Sequence, residues 1–201
     1  MSHRMLAILA LTLAAWLPST DRSNACRGAE FAKDSLRPNI IYIMTDDLGY
    51  GDLGCYGQQV IQTPNIDQMA KEGMRFTDHY AGHTVCRPSR LVLWLGQHVG
   101  HTGLTGNRPR SLSSKERTVA RCLHDVGYAT GGVGKWALGN VNDPSEIDNP
   151  GHPNRNGFDY WFGYLNQSNA HNYYPTFLWE NDQQVTLPRS NTNLIAKPPS
   201  R

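Results

Sequence analysis

The 201-residue sequence predicts an α/β fold, a mostly parallel sheet flanked by helices. Three observations carry this expectation. The run Asn39-Ile40-Ile41-Tyr42-Ile43-Met44 is short, nearly continuous in apolar residues and rich in β-branched ones. It reads as a strand buried on both faces, the habit of parallel sheets. Two amphipathic segments with start and stop signals alternate with further strand-like runs, in the order strand, helix, strand, helix, strand. Thr45-Asp46-Asp47 and the glycine-rich Gly49-Tyr50-Gly51-Asp52-Leu53-Gly54 follow the first run, where open α/β sheets collect their ligands.

The chain starts like an export signal. Arg4 supplies positive charge, residues 5–17 form an apolar core, and Ser23-Asn24-Ala25 places small residues where a signal peptidase reads. We expect residues 1–25 to be a signal peptide and 26–37 a linker. The apolar run is too short for a stable membrane span. The expected location is periplasmic or extracellular, and Cys26 just after the cut keeps a lipoprotein as the lesser alternative. Export implies an oxidising compartment, yet the four cysteines show no framework spacing and no CxxC pair, so their pairing stays open. Formal net charge is +2 with no basic stripe, which argues against a nucleic-acid partner.

For the first helix, Thr63 suits the cap and Pro64 the opening position. Ile66, Met69 and Ala70 line one face, and Gly73 suits the close. Met74-Arg75-Phe76-Thr77 reads as a returning strand. A second helix is expected from near Ser113, with Glu116 completing a capping box, Val119, Ala120, Leu123 and Val126 as buried face, and Gly127 as stop. Residues 128–136 read as a strand with glycines that brings Lys135 to its end. Residues 140–157 are rich in Asn, Asp and Pro and read as loop. Residues 158–179, aromatic and polar together, suit the wall of a pocket. The tail Pro198-Pro199-Ser200-Arg201 shows no closing element.

The densest chemistry is Cys86-Arg87-Pro88-Ser89-Arg90, followed by the apolar run Leu91-Val92-Leu93-Trp94-Leu95 and Gly96. Pro88 suits the first turn of a helix, Ser89 can satisfy its orphan N–H groups, and Gly96 fits just past its end. Cys86 then lies at the positive mouth of the helix, where a thiolate or an oxyanion is favoured. Arg90, one turn in, could hold the nucleophile or the anion it attacks. Other readings fail at positions their chemistry requires. A Cys-x5-Arg phosphatase loop needs arginine where Val92 stands. A Walker loop ending at Gly134-Lys135 needs glycine at Ala129 and a hydroxyl at Trp136. No Gly-x-Ser-x-Gly elbow occurs, and His83, His98 and His101 lack zinc spacing.

The motifs taken in order resemble the N-terminal part of a type I sulfatase, of the arylsulfatase kind in the alkaline-phosphatase-like superfamily. They are Pro38-Asn39-Ile40 to Asp46-Asp47-Leu48-Gly49-Tyr50-Gly51-Asp52, Thr63-Pro64-Asn65-Ile66-Asp67, Cys86-Arg87-Pro88-Ser89-Arg90, Gly127-Tyr128-x-Thr130 leading to Gly134-Lys135-Trp136, and Gly157-Phe158-Asp159-Tyr160. The resemblance implies that residues 38–201 are the N-terminal portion of a sulfatase catalytic domain, incomplete at the C-terminus. It implies a sulfuric ester hydrolase acting on a sulfated small molecule or carbohydrate. Cys86 would be oxidised to formylglycine, whose hydrate is the nucleophile, by a formylglycine-generating enzyme or an anaerobic maturase that reads Cys86, Pro88 and Arg90. Asp46 and Asp47 look like the first calcium ligands, with magnesium the second candidate. Arg90 would orient the hydrate, Lys135 would bind it or a sulfate oxygen, and His171 would face the substrate.

The sequence also departs from that family. Lys135-Trp136-Ala137-Leu138-Gly139 carries alanine where the family usually has a histidine that takes a proton as sulfate leaves, and losing such a base costs about 10² to 10⁴ in rate. Leu95-Gly96-Gln97 replaces Thr-Gly-Arg. The family's second calcium pair is missing, since the Asp148-Asn149 pair lies in a loop. A truncated, catalytically incompetent sulfatase is therefore the alternative, and a phosphonate or phosphodiester hydrolase using the same aldehyde is a further one.

Overall fold

The computed structural model describes residues 37–139, 141 and 144–187. The expected signal peptide, most of the linker and the C-terminal tail lie outside the described residues. The α/β class is the one found. Among the described residues four α-helices precede the sheet: α1 (Pro64–Glu72), α2 (Cys86–Leu95), the short α3 (Val99–Thr102) and α4 (Val119–Asp125). Strands β1 (Gly131–Lys135), β2 (Tyr160–Tyr164), β3 (Phe177–Glu180) and β4 (Gln183–Thr186) follow.

The sheet order is β1-β2-β3-β4. β1 and β2 run parallel, with Lys135 opposite Tyr164, whereas β2-β3 and β3-β4 are antiparallel. Among the described residues the sheet is thus mixed. The parallel pair needs a long crossover, and residues 136–159 supply it. Gly134 lies opposite Gly163. A Cβ on Gly163, whose φ is 145, would sit 2.1 Å from the carbonyl oxygen of Gly134. Only glycine permits that approach.

The core lies between α2, α4 and the inner face of the sheet. Leu91, Leu112, Trp136, Leu138, Val141 and Leu165 are completely buried there. Trp136 stands edge-on to Phe158 and Trp161, with ring centroids 5.8 and 5.4 Å away, and Trp94 closes the group at 5.6 Å. The indole N–H of Trp136 donates to the Gly151 carbonyl at 2.7 Å, so the polar edge of the buried ring is satisfied.

Four expectations need correction. Residues 39–44 form no strand: Ile40, Ile41, Tyr42 and Ile43 are exposed, and no strand among the described residues pairs with them. An apolar run becomes a strand only when a ladder and a cover exist. Residues 74–77 likewise form no strand, and Phe76 is exposed. In α1 the predicted ends hold, with Pro64 at the start and Gly73 at the end. Its apolar face is nevertheless not buried, since Ile66 and Met69 are exposed. The second long helix starts at Val119, not near Ser113. Glu116 does accept the Ser113 N–H at 2.9 Å, but this closes a turn. The cap is Thr118, whose hydroxyl accepts the Arg121 N–H at 3.0 Å.

Candidate active site

Helix α2 sets the site. Its N-cap, Val85, is extended at φ −118°, and the first helical bond runs from the Ser89 N–H to the Val85 carbonyl at 3.1 Å. Cys86 is the first helical residue, half-buried, with a free thiol. Pro88 sits in the first turn, where its missing N–H leaves nothing unpaired. Ser89, expected to cap, is instead buried in the helix. The cap comes from Asn107, whose side-chain oxygen accepts the Arg87 N–H at 3.1 Å. Gly96 ends the helix in the left-handed conformation at φ 60°, as expected.

Arg87 and Arg90 lie one turn apart on α2 and both are buried. Arg90 donates through Nη1 to the Lys135 carbonyl at 2.5 Å, and its Nη2 lies 3.5 Å from Asp46 Oδ2. Its Nε is buried without a partner. Lys135, at the end of β1, brings Nζ to 2.8 Å from the same Asp46 oxygen, 89 residues away in the sequence. The Lys135 side chain is 9% exposed and that of Asp46 42%. One half-exposed carboxylate oxygen therefore faces two nearly buried cations.

The electrostatics follow. Burial alone would push the Asp46 carboxyl up. The hydrogen bond and charge of Lys135, then the charges of Arg90 and His171, outweigh it and hold the carboxyl below its ordinary value. Burial lowers the Arg90 guanidinium below its usual value, against the pull of Asp46 and Cys86. Cys86, at the N-terminus of α2 and one turn before Arg90, stands where a helix end favours negative charge.

Of the six expected residues, Asp46, Arg90 and Lys135 are thus in direct contact; Cys86 lies one turn before Arg90 on α2, and the charge of His171 acts on Asp46. Asp47 is exposed, at φ 56°, a conformation that aspartate tolerates better than most residues. His171 is exposed at the end of a 3₁₀ turn, Asn169–His171. That turn hangs from Tyr164, whose hydroxyl donates to the Asn172 carbonyl at 2.7 Å. Tyr164 is the register partner of Lys135 and also lines a cavity of ≈ 100 Å³ with Leu165, Asn172, Phe177 and Trp179. Of the pocket wall expected over residues 158–179, the part from 164 to 179 lines this cavity.

For a divalent cation, Asp46 and Asp47 offer hard carboxylate oxygens on accessible, adjacent residues. They fit as one part of a shell of about six to eight oxygens. No group of three or more His, Cys, Asp or Glu gathers into a metal site among the described residues. Asp148 pairs with Arg155, and Asn149 accepts the Gly151 N–H at 2.8 Å, so that pair serves the loop, as expected. His83 and His98 accept N–H bonds from Val85 and Gly100, each at 3.1 Å, and serve as local turn caps.

The sequence reading missed Arg87 and Asn107. Arg87 stands at the position that the Cys-x-Pro-x-Arg motif leaves free, and Asn107 lies in a plain loop. The available signal was the spacing of three between Arg87 and Arg90, which puts both on one helix face.

Residues 38–201 match the family model described as Sulfatase. The chain is 46% identical over 140 residues to "Arylsulfatase D" of Homo sapiens, covering 65% of this chain and 23% of that protein. It is 42% identical over 137 residues to "Steryl-sulfatase" of Homo sapiens, covering 63% and 23%. Among solved structures it is similar, at TM-score 0.63 and 37% identity, to a chain from work on "Metabolism of multiple glycosaminoglycans by bacteroides thetaiotaomicron", covering 78% of this chain and 33% of that one. It is similar to "Ps i-CgsB" at TM-score 0.64 and 32% identity, covering 76% and 38%. "Ps i-CgsB in complex with k-i-k-neocarrahexaose" follows at TM-score 0.58 and 30% identity, covering 71% and 36%. The chain spans about a quarter of the length of the curated relatives it matches.

Proposed function

This chain belongs to the sulfatase family, and we propose that it carries the nucleophile-bearing part of a sulfuric ester hydrolase. The observation that supports this most is the meeting of Arg90 and Lys135 at Asp46, with Cys86 one turn before Arg90 on α2, from three separate sequence motifs. The reading takes Cys86 to be oxidised to formylglycine by a maturation enzyme that acts on Cys86-x-Pro88-x-Arg90. The hydrated aldehyde attacks sulfur with one hydroxyl, and the second later expels sulfate by restoring the aldehyde. No water then has to attack a sulfate ester.

Each residue has a role in this scheme. Arg90, fixed through the Lys135 carbonyl, orients the group at position 86. Lys135 Nζ binds a sulfate oxygen. Asp46 and Asp47 would hold the cation, calcium or magnesium, which polarises a sulfate oxygen and favours the ionised nucleophile. His171 meets the substrate from the rim. Arg90 and Lys135 bring two positive charges to a low-dielectric site, where charge spread over transferring sulfate oxygens is stabilised. The substrate is a sulfated small molecule or carbohydrate, the latter in line with the neocarrahexaose complex of a structural neighbour. Export through residues 1–25 suits such extracellular esters.

Ala137 favours a second reading, a chain of this family without turnover. It is completely buried and stands where a proton-accepting histidine is usual. One experiment separates the two. The chain is produced with a formylglycine-generating enzyme, the residue 86 peptide is checked by mass for conversion, and 4-nitrophenyl sulfate is supplied with calcium. Turnover that vanishes in Cys86→Ala supports the hydrolase. Full conversion without turnover favours the second reading, and an untouched thiol in matured protein overturns the formylglycine step.

A further inference from the structure

We propose that Arg87 is a positioning residue that clamps the exit of β1 and thereby sets Lys135 against Asp46. Its guanidinium is buried, at 3% exposure, with no carboxylate bonded to it among the described residues. Its bonds go to backbone: Nε donates to the Ala137 carbonyl and Nη1 to the Asn107 carbonyl, both at 2.9 Å. One turn along α2, Arg90 Nη1 donates to the Lys135 carbonyl at 2.5 Å. Two arginines on one helix face therefore grip two carbonyls two residues apart, on either side of Trp136.

The gripped segment needs holding. Ala137 has φ 71°, a left-handed conformation that disfavours any residue with a Cβ. A buried carbonyl without a donor would be unfavourable as well. Arg87 answers both, since its bond to the Ala137 carbonyl fixes the peptide that follows the strained residue. Lys135 is two residues back, so the turn at 137 fixes how β1 ends and where Nζ lies. The position that the maturation motif leaves free is thus constrained by the fold.

The inference rests on the proposed function only in giving Lys135 a part in catalysis. Its test therefore needs no turnover. The chain is treated briefly with an acetylating reagent, and labelling of Lys135 is compared by peptide mass analysis with the exposed Lys71 and Lys115. In the parent, Lys135 should label about tenfold more slowly than these two, as befits a side chain released only by local opening. Arg87→Met should remove most of that protection while Lys71 and Lys115 are unchanged. Ala137→Gly added to Arg87→Met should restore part of it, because glycine adopts positive φ without a clamp. Should Arg87→Met fail to fold, Arg87→Lys decides, and labelling between parent and free rates supports the clamp. Lys135 protected as in the parent overturns the inference. So does a Lys135 that becomes exposed only together with general loosening of all lysines and is not recovered by Ala137→Gly. A chain that proves inactive but shows the selective change would fail the hydrolase reading and leave the clamp standing.

Discussion

The stretch from residue 42 to 80 and the block from 86 to 187 carry apolar residues in equally regular patterns, but only the second buries them. In the first, Tyr42, Ile43, Ile66, Met69, Met74 and Phe76 are all exposed. In the second, Trp136, Leu138, Leu165 and Trp179 are at or near complete burial. Periodicity says which face a segment would bury, while burial itself needs a partner surface. What order the first stretch has comes from polar bonds. Asp67 Oδ1 accepts the Cys55 N–H at 2.6 Å and the Thr63 hydroxyl at 3.0 Å, and Thr63 accepts the Gly54 N–H at 2.8 Å.

The largest expected effect breaks that comparison directly. Trp136→Ala should destabilise by about 3–5 kcal/mol, since it empties the centre of the aromatic group, whereas Met69→Ala should stay within about 0.5 kcal/mol. Denaturant midpoints of the two variants check this. Equal losses would mean that α1 is packed in solution.

A second outcome concerns pH. His152 is buried, with Nδ1 accepting the Asn154 N–H at 3.3 Å and Nε2 at 3.2 Å from the Asn181 carbonyl. Burial, the main cause, lowers its pKa below 6.5, the Asn181 bond opposes this, and Arg155 adds to the lowering. The unfolded chain therefore takes up the proton first as pH falls. The stabilisation is complete above the unfolded value and drains as pH drops toward the folded one. Melting temperature should fall with acidification through this window, with a flatter profile in His152→Gln.

A smaller acid effect belongs to Asp46. Its folded pKa lies below the ordinary 3.8, so its contribution is present above that value and is lost as pH falls through the folded one. Because the carboxylate is 42% exposed, solvent screening keeps the contribution modest. Asp46→Asn should flatten only the most acidic part of the stability profile.

The smallest is a gain. Ala137→Gly should stabilise the chain by about 1 kcal/mol, by relieving the positive φ at the cost of a looser unfolded chain. A thermal melt of the single variant measures it.

The ends of α1 were legible in the sequence because Pro64 and Gly73 act within one turn of themselves, although the Thr63 hydroxyl makes no cap bond and joins Gly54 to Asp67 instead. The start of α4 was not, because two similar signals lie five residues apart. Ser113 with Glu116 closes a turn, and Thr118 with Arg121 opens the helix. Residues 39–44 were misread because their composition reports a preference for burial and nothing about the partner. In the site, Asp46, Cys86, Arg90 and Lys135 could be picked out from their motifs. The bond from Arg87 to the Ala137 carbonyl joins residues 50 apart and depends on backbone strain that no side chain announces.

The edge-to-face rings next to Lys135 have one more use. Trp136 follows Lys135 directly and touches Trp94, Phe158 and Trp161. Neighbouring indoles held at fixed angles should give strong near-ultraviolet circular dichroism, so an anion that tugs on the adjacent lysine would announce itself optically. Near-ultraviolet circular dichroism with and without added sulfate would show whether Trp136 responds to a ligand at Lys135.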